Sequence, residues 1–163
     1  MSKKEKYREK IKRFLDPEEN ILYGHYDIWP SITYLGGHPP WGMNIIIGLI
    51  LTNKRLMLWK NIEDAPWSIF FDKMKSVSTE KIEGLTASRV ILLGILAPLW
   101  KKKKPFLLIE MENDIGEISS ISIGFSKEAT MHPLFGDSIW GLNEWFQNIS
   151  NCRYQYLSQF RKQ

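Results

Sequence analysis

The sequence predicts a mainly β domain with a helix at each end: seven short antiparallel strands in a bent sandwich or barrel, capped by a C-terminal helix. Three observations predict it. Residues 20–125 break into short segments rich in β-branched and aromatic residues, several separated by turn residues. In 121–125, Ile121, Ile123 and Phe125 alternate with Ser122 and Gly124, giving one buried and one wet face. Apolar residues before and after this region recur at helical spacing instead. The chain has 163 residues, which suits one domain on a prior of about 100–200 residues. With 44% hydrophobic and 25% charged residues it is neither collagen, coiled coil, mucin nor a disordered chain.

The first element is a helix over residues 2–15, within a basic amphipathic segment 1–16. Ser2 and Glu5 have capping-box spacing. Tyr7, Ile11, Phe14 and Leu15 form one apolar stripe, and Asp16-Pro17 stops the helix. Docking of that stripe on the domain, insertion into an anionic membrane surface and a disordered basic tail are all open. The strands fall at 20–28, 43–52, 55–60, 67–72, 75–83, 105–112 and 117–125. Residues 45–51 are almost continuously apolar, so both faces of that strand are expected to be covered. Residues 30–41, with Gly36-Gly37-His38-Pro39-Pro40, read as a long loop. A C-terminal helix opens at Asp137 with a stripe of Ile139, Leu142, Phe146 and Ile149, and Trp145 beside it. It extends through Tyr156, Leu157 and Phe160 or breaks near Asn148–Asn151. No linker divides 17–163, which read as a single domain.

Charge is concentrated. Residues 1–13 hold seven Lys/Arg against two Glu, and Lys101, Lys102, Lys103 and Lys104 follow one another. The rest of the chain is mildly acidic. Such blocks suit an anionic surface. The single cysteine, Cys152, excludes an intramolecular disulfide and fits a reducing compartment. The N-terminus lacks the apolar core of a signal peptide. The longest apolar run, Val90 to Trp100, is far short of the about 20 residues of a spanning helix. The expected location is cytoplasmic, with or without membrane association.

One segment carries a resemblance. Leu51-Thr52-Asn53-Lys54-Arg55-Leu56 reads as a tight hairpin, with Asn53 suited to a left-handed turn position. It resembles the second-to-third strand hairpin of GRAM and bacterial pleckstrin-homology-like (PH-like) domains. Glu19–Leu22, Phe106–Glu110, Ile121–Phe125 and Trp145-Phe146 are similar to their opening strand, late strands and closing helix. The resemblance spans about residues 18–150. It implies a seven-stranded, strongly bent pair of sheets with a C-terminal helix, and a binding module without catalytic residues. Two departures are the loop Pro30–Trp41 and an apolar insert, Leu85 to Trp100, ahead of the four lysines. A ligand does not transfer with a fold.

That insert is the candidate contact surface: Arg89, Leu92, Leu93, Leu96, Trp100, Lys101, Lys102, Lys103 and Lys104. On a membrane the apolar residues enter the acyl boundary, Trp100 sits at the headgroups and the lysines meet anionic lipid. Alternatively Val90–Leu99 packs in the core, or forms a subunit interface in a homo-oligomeric, self-assembling module. Leu93→Glu would then disrupt assembly without unfolding. Seven tryptophans are present, most expected in the core. Trp41, on its Gly/Pro loop, and Trp140, about 100° off the helix stripe, are the expected exposed ones, and both simple local packing and a groove for a protein partner are open.

No catalytic constellation can be assembled. His25, His38 and His132 lie far apart in unlike contexts, and no paired cysteines exist, so no metal or other cofactor is expected. Gly36-Gly37 lacks the rest of a phosphate loop, and no nucleophile elbow is present. Glu110, Glu112 and Asp114 read as a solvated face. The strands are acidic or neutral, so nucleic acid is not an expected partner.

Overall fold

In the computed structural model, residues 1–25, 32–39, 41–42, 45–81, 105–125 and 141–161 are described. Helix α1 spans Lys3–Lys12. Strands β1 (Ile21–His25), β2 (Ile32–Gly37), β3 (Ile45–Thr52), β4 (Arg55–Trp59), β5 (Trp67–Phe70), β6 (Met74–Glu80), β7 (Phe106–Glu112) and β8 (Ile118–Phe125) follow. Helix α2 spans Leu142–Arg161.

The strands form one open antiparallel sheet in the order β5-β4-β3-β2-β8-β7-β6, with β1 also on β3. β1 pairs with Leu49–Thr52 and β2 with Ile45–Ile47, so the two lie one after the other along β3. β2 also pairs with β8, through Ile32↔Phe125 to Gly37↔Ile121, and so joins the two halves of the sheet. The halves fold over a shared core. Leu49, Leu51, Leu56 and Leu58 from one meet Leu107, Ile109, Ile121 and Ile123 from the other. Trp145 and Ile149 of α2 complete that core. The architecture is the mainly β, helix-capped, sandwich-like one expected.

The strand count differs. β2 occupies residues read as loop, because the two glycines that suggest a breaker are required by the pairing itself. Gly36 and Gly37 have φ of 149° and 112°. A Cβ at Gly37 would lie 2.1 Å from the Ser120 carbonyl oxygen, so only glycine lets β2 approach β8 this closely. The Tyr34 hydroxyl then reaches the carbonyls of Gly37 (2.8 Å) and Pro39 and ties the strand end down.

The expected coverage of β3 on both faces is observed from Ile47 onward, whereas Ile45 is half-buried and Ile46 is exposed. Leu49 and Leu51 face the main core. Ile50, with Met57, Trp59 and Ile62, forms a second cluster beneath Ile11 of α1. Tyr7, Phe14, Leu15 and Ile21 flank it. The capping box forms, with the Ser2 side chain accepting from Glu5 N–H. The α1 stripe is therefore docked on the domain. Ile11 is fully buried there, while Tyr7, Phe14 and Leu15 are partly buried at its margin.

Helix α2 runs unbroken through Asn148–Asn151. Its buried line is Trp145 and Ile149, with Leu142, Phe146, Cys152 and Tyr156 at the margins. Phe160 is exposed, so the apolar stripe ends before it. Asp137, Ile139 and Trp140 lie outside the described residues.

Candidate functional site

The hairpin motif forms a polar lock. The Thr52 hydroxyl accepts from the N–H groups of Lys54 (3.1 Å) and Arg55 (3.0 Å) and closes the β3–β4 turn. It also bonds the Glu19 carboxylate at 2.6 Å. Asn53 imitates a strand partner: its side-chain oxygen accepts from Asn20 N–H at 2.8 Å, and its own N–H donates to Asn20 C=O at 3.1 Å. Asn53 is thus chosen for these cross-links to the segment before β1. Lys54 pairs with Asp16 at 3.8 Å. Leu51 and Leu56 fill the core below.

Arg55 is the centre of the lock. Its Nε and Nη2 fork the Glu19 carboxylate at 2.9 and 2.7 Å, and Nη2 also donates to Phe14 C=O at 2.6 Å. Its guanidinium lies over the Phe70 ring, 4.9 Å from the centroid. The Glu19 side chain is fully buried. Burial by itself raises the carboxyl pKa; hydrogen bonds from Arg55, Thr52 and the Asp16 N–H outweigh it and hold the group below its ordinary value. Each motif residue is consumed in holding α1, β1 and the hairpin together, so the motif is architectural.

A cleft of about 300 Å³ opens elsewhere, beside β5, which with β6 ends the strand order among the described residues. One wall is β5, with Trp67, Ser68, Ile69 and Phe70 all lining it. The other is Met111, Asn113 and Asp114, at the β7–β8 turn. Trp67 stands edge-on to His38 (5.8 Å) and to Trp41 (6.4 Å), and Trp41 rests on Tyr34 (5.5 Å). Trp41, expected exposed, is therefore half-buried in this aromatic group. Lys73 pairs with Asp114 at 2.6 Å, which holds the Asp114 carboxyl below its ordinary pKa. Lys75 pairs with Glu112, and Glu110 accepts from the Ser76 hydroxyl at 2.6 Å. The three acids read as a solvated face are each engaged by β6 or by the turn leading into it. Sequence reasoning missed this cleft. Its walls come from segments far apart in the chain, and only the strand order brings them together.

Arg89, Leu92, Leu93, Leu96, Trp100 and Lys101–Lys104 lie outside the described residues, as do Trp29 and His132. The points where their segment leaves and re-enters the sheet are described. β6 and β7 remain paired up to Glu80↔Phe106, so the insert is tethered at both ends to one strand pair. That opening is one β7 length, about 20 Å, from the cleft. Among the described residues no group of three His, Cys, Asp or Glu side chains could hold a metal, and no helix is long and apolar enough to cross a membrane.

No family model matches the chain, and no curated protein matches it in sequence. Among solved structures it is similar to the hSac2 domain from human phosphoinositide phosphatase Sac2. The TM-score is 0.51 at 11% identity, over 98% of this chain and 85% of that one. At that identity the likeness is one of fold.

Proposed function

We propose that the chain is a non-enzymatic, PH/GRAM-like binding module that attaches to the periphery of anionic membranes. The observation carrying this reading is the run from Arg89 to Lys104: an apolar stretch, one tryptophan and four consecutive lysines. Its tethering between Glu80 and Phe106 makes it an insertion on a folded scaffold. At about 1 kcal/mol per lysine near an anionic surface, four supply about 4 kcal/mol. That alone is roughly millimolar binding, and stable attachment takes a second signal. The apolar residues Val90–Leu99 supply it. Helix α1 adds only charge, through exposed Lys6 and Arg13, since its apolar side is docked. The fold shared with a domain of a phosphoinositide phosphatase supports a lipid-directed role.

Flotation with neutral and anionic vesicles tests it. Salt-sensitive flotation on anionic vesicles alone, lost when Lys101–Lys104 become alanine, is expected. A folded protein that floats on neither sinks the reading. A multimer whose mass ignores lipid would then assign Val90–Leu99 to a subunit interface.

A further inference from the structure

The two end strands of the open sheet are treated differently. On β6, Arg153 of α2 donates from Nε to Met74 C=O at 2.9 Å and from Nη2 to Lys75 C=O at 3.0 Å, covering the start of that edge. On β5, Phe71 N–H donates to Lys54 C=O at 3.1 Å. With the register Arg55↔Phe70 to Leu58↔Trp67, this fixes the parity of the ladder. Trp67 and Ile69 turn their backbone groups toward β4, and Ser68 and Phe70 turn theirs away. Arg55 N–H, which bonds Thr52 rather than β5, agrees. The Phe70 carbonyl is taken by Lys73 N–H at 3.1 Å. The Ser68 N–H, Ser68 C=O and Phe70 N–H have no backbone partner among the described residues.

These outward groups border the cleft. The same parity sends the Ile69 side chain inward to the core, with Trp67 packed against it. We propose that β5 accepts an extended peptide strand from a protein partner, which fills the open seam of the sheet. Unpaired donors and acceptors at alternate residues select an extended backbone, and the adjoining cavity selects one apolar side chain of that strand. The inward side chain meets His38, Trp67 and Met111. Its neighbours on the strand face outward, alongside Ser68 and the exposed Phe70. The proposal does not rest on the membrane reading.

The probe is a phage-displayed library of random twelve-residue peptides, panned on the intact protein. Enriched peptides are expected to share alternating apolar residues and to slow amide exchange at Ser68 and Phe70. N-methylation at alternate peptide residues should weaken binding about tenfold or more, and at intervening residues about twofold or less. That scan uses unaltered protein, so it stands even if Ser68→Pro, expected to abolish binding, fails to fold. No enrichment, or an N-methyl scan without alternation, overturns the proposal. So do Ser68 and Phe70 amides already as protected as that of Ile69 in the free protein. Protection that rises with protein concentration alone assigns the edge to a second copy, and overturns it too.

Discussion

Arg55 and Glu19 form a two-pronged ion pair at 2.9 and 2.7 Å, with the Glu19 side chain wholly buried and the Arg55 side chain 11% exposed. A buried fork of this kind is costly to break because it strands a charge. Glu19→Gln should cost about 3 kcal/mol at pH 7. Arg55→Lys keeps the charge but loses the fork, and should cost less. Urea unfolding of the three proteins checks the order.

The same pair sets a pH dependence. The folded Glu19 carboxyl lies below its ordinary value of 4.5, so the unfolded chain takes up the proton first on acidification. The contribution is complete above that value and is lost as pH falls through the folded one. The stability gap between wild type and Glu19→Gln should therefore narrow in acid. Urea midpoints at neutral and acid pH measure it; a gap that widens in acid contradicts the assignment.

Gly37→Ala should cost about 3 kcal/mol, because strain at positive φ adds to a contact with the Ser120 carbonyl that backbone movement must relieve. Thermal unfolding should show the loss. Gly42 also has positive φ, but its nearest Cβ contact is an ordinary 3.7 Å from Ile45, so the same change there should cost less.

Trp145→Ala should cost about 4 kcal/mol, since the ring is fully buried between Tyr23 (5.2 Å) and Phe125 (6.3 Å). Loss of near-ultraviolet dichroism with retained far-ultraviolet signal would show α2 released from a surviving sheet.

Ser122 is fully buried, and its hydroxyl has no hydrogen-bond partner among the described residues. Ser122→Ala should therefore be neutral or stabilising by up to about 1 kcal/mol. A clear destabilisation would mean that the hydroxyl is satisfied in solution.

The fold was legible where local pattern and tertiary role agree. Ile121 and Ile123 enter the core as their spacing suggests, although Ser122 between them is fully buried rather than wet, and Ile47–Leu51 is continuously apolar because α1 and the core cover both faces there. Ser2 and Glu5 announced their cap. Residues 32–37 were not legible as a strand. Gly36 and Gly37 break strands by local propensity, and their purpose is an approach to Ser120 that no single-segment pattern encodes. The hairpin motif was recognisable, but the reason for Asn53 lay in Asn20, on another segment. The cleft was illegible for the same reason: Trp67 and Met111 become neighbours only through the strand order.

The most direct test of the membrane reading is the partition coefficient onto vesicles of graded anionic lipid content, for wild type and for Lys101–Lys104 all changed to Ala. Four lysines at about 1 kcal/mol each predict a loss of about 10³-fold on strongly anionic vesicles, shrinking as salt is raised. Equal partitioning of both folded proteins at every composition would contradict the account.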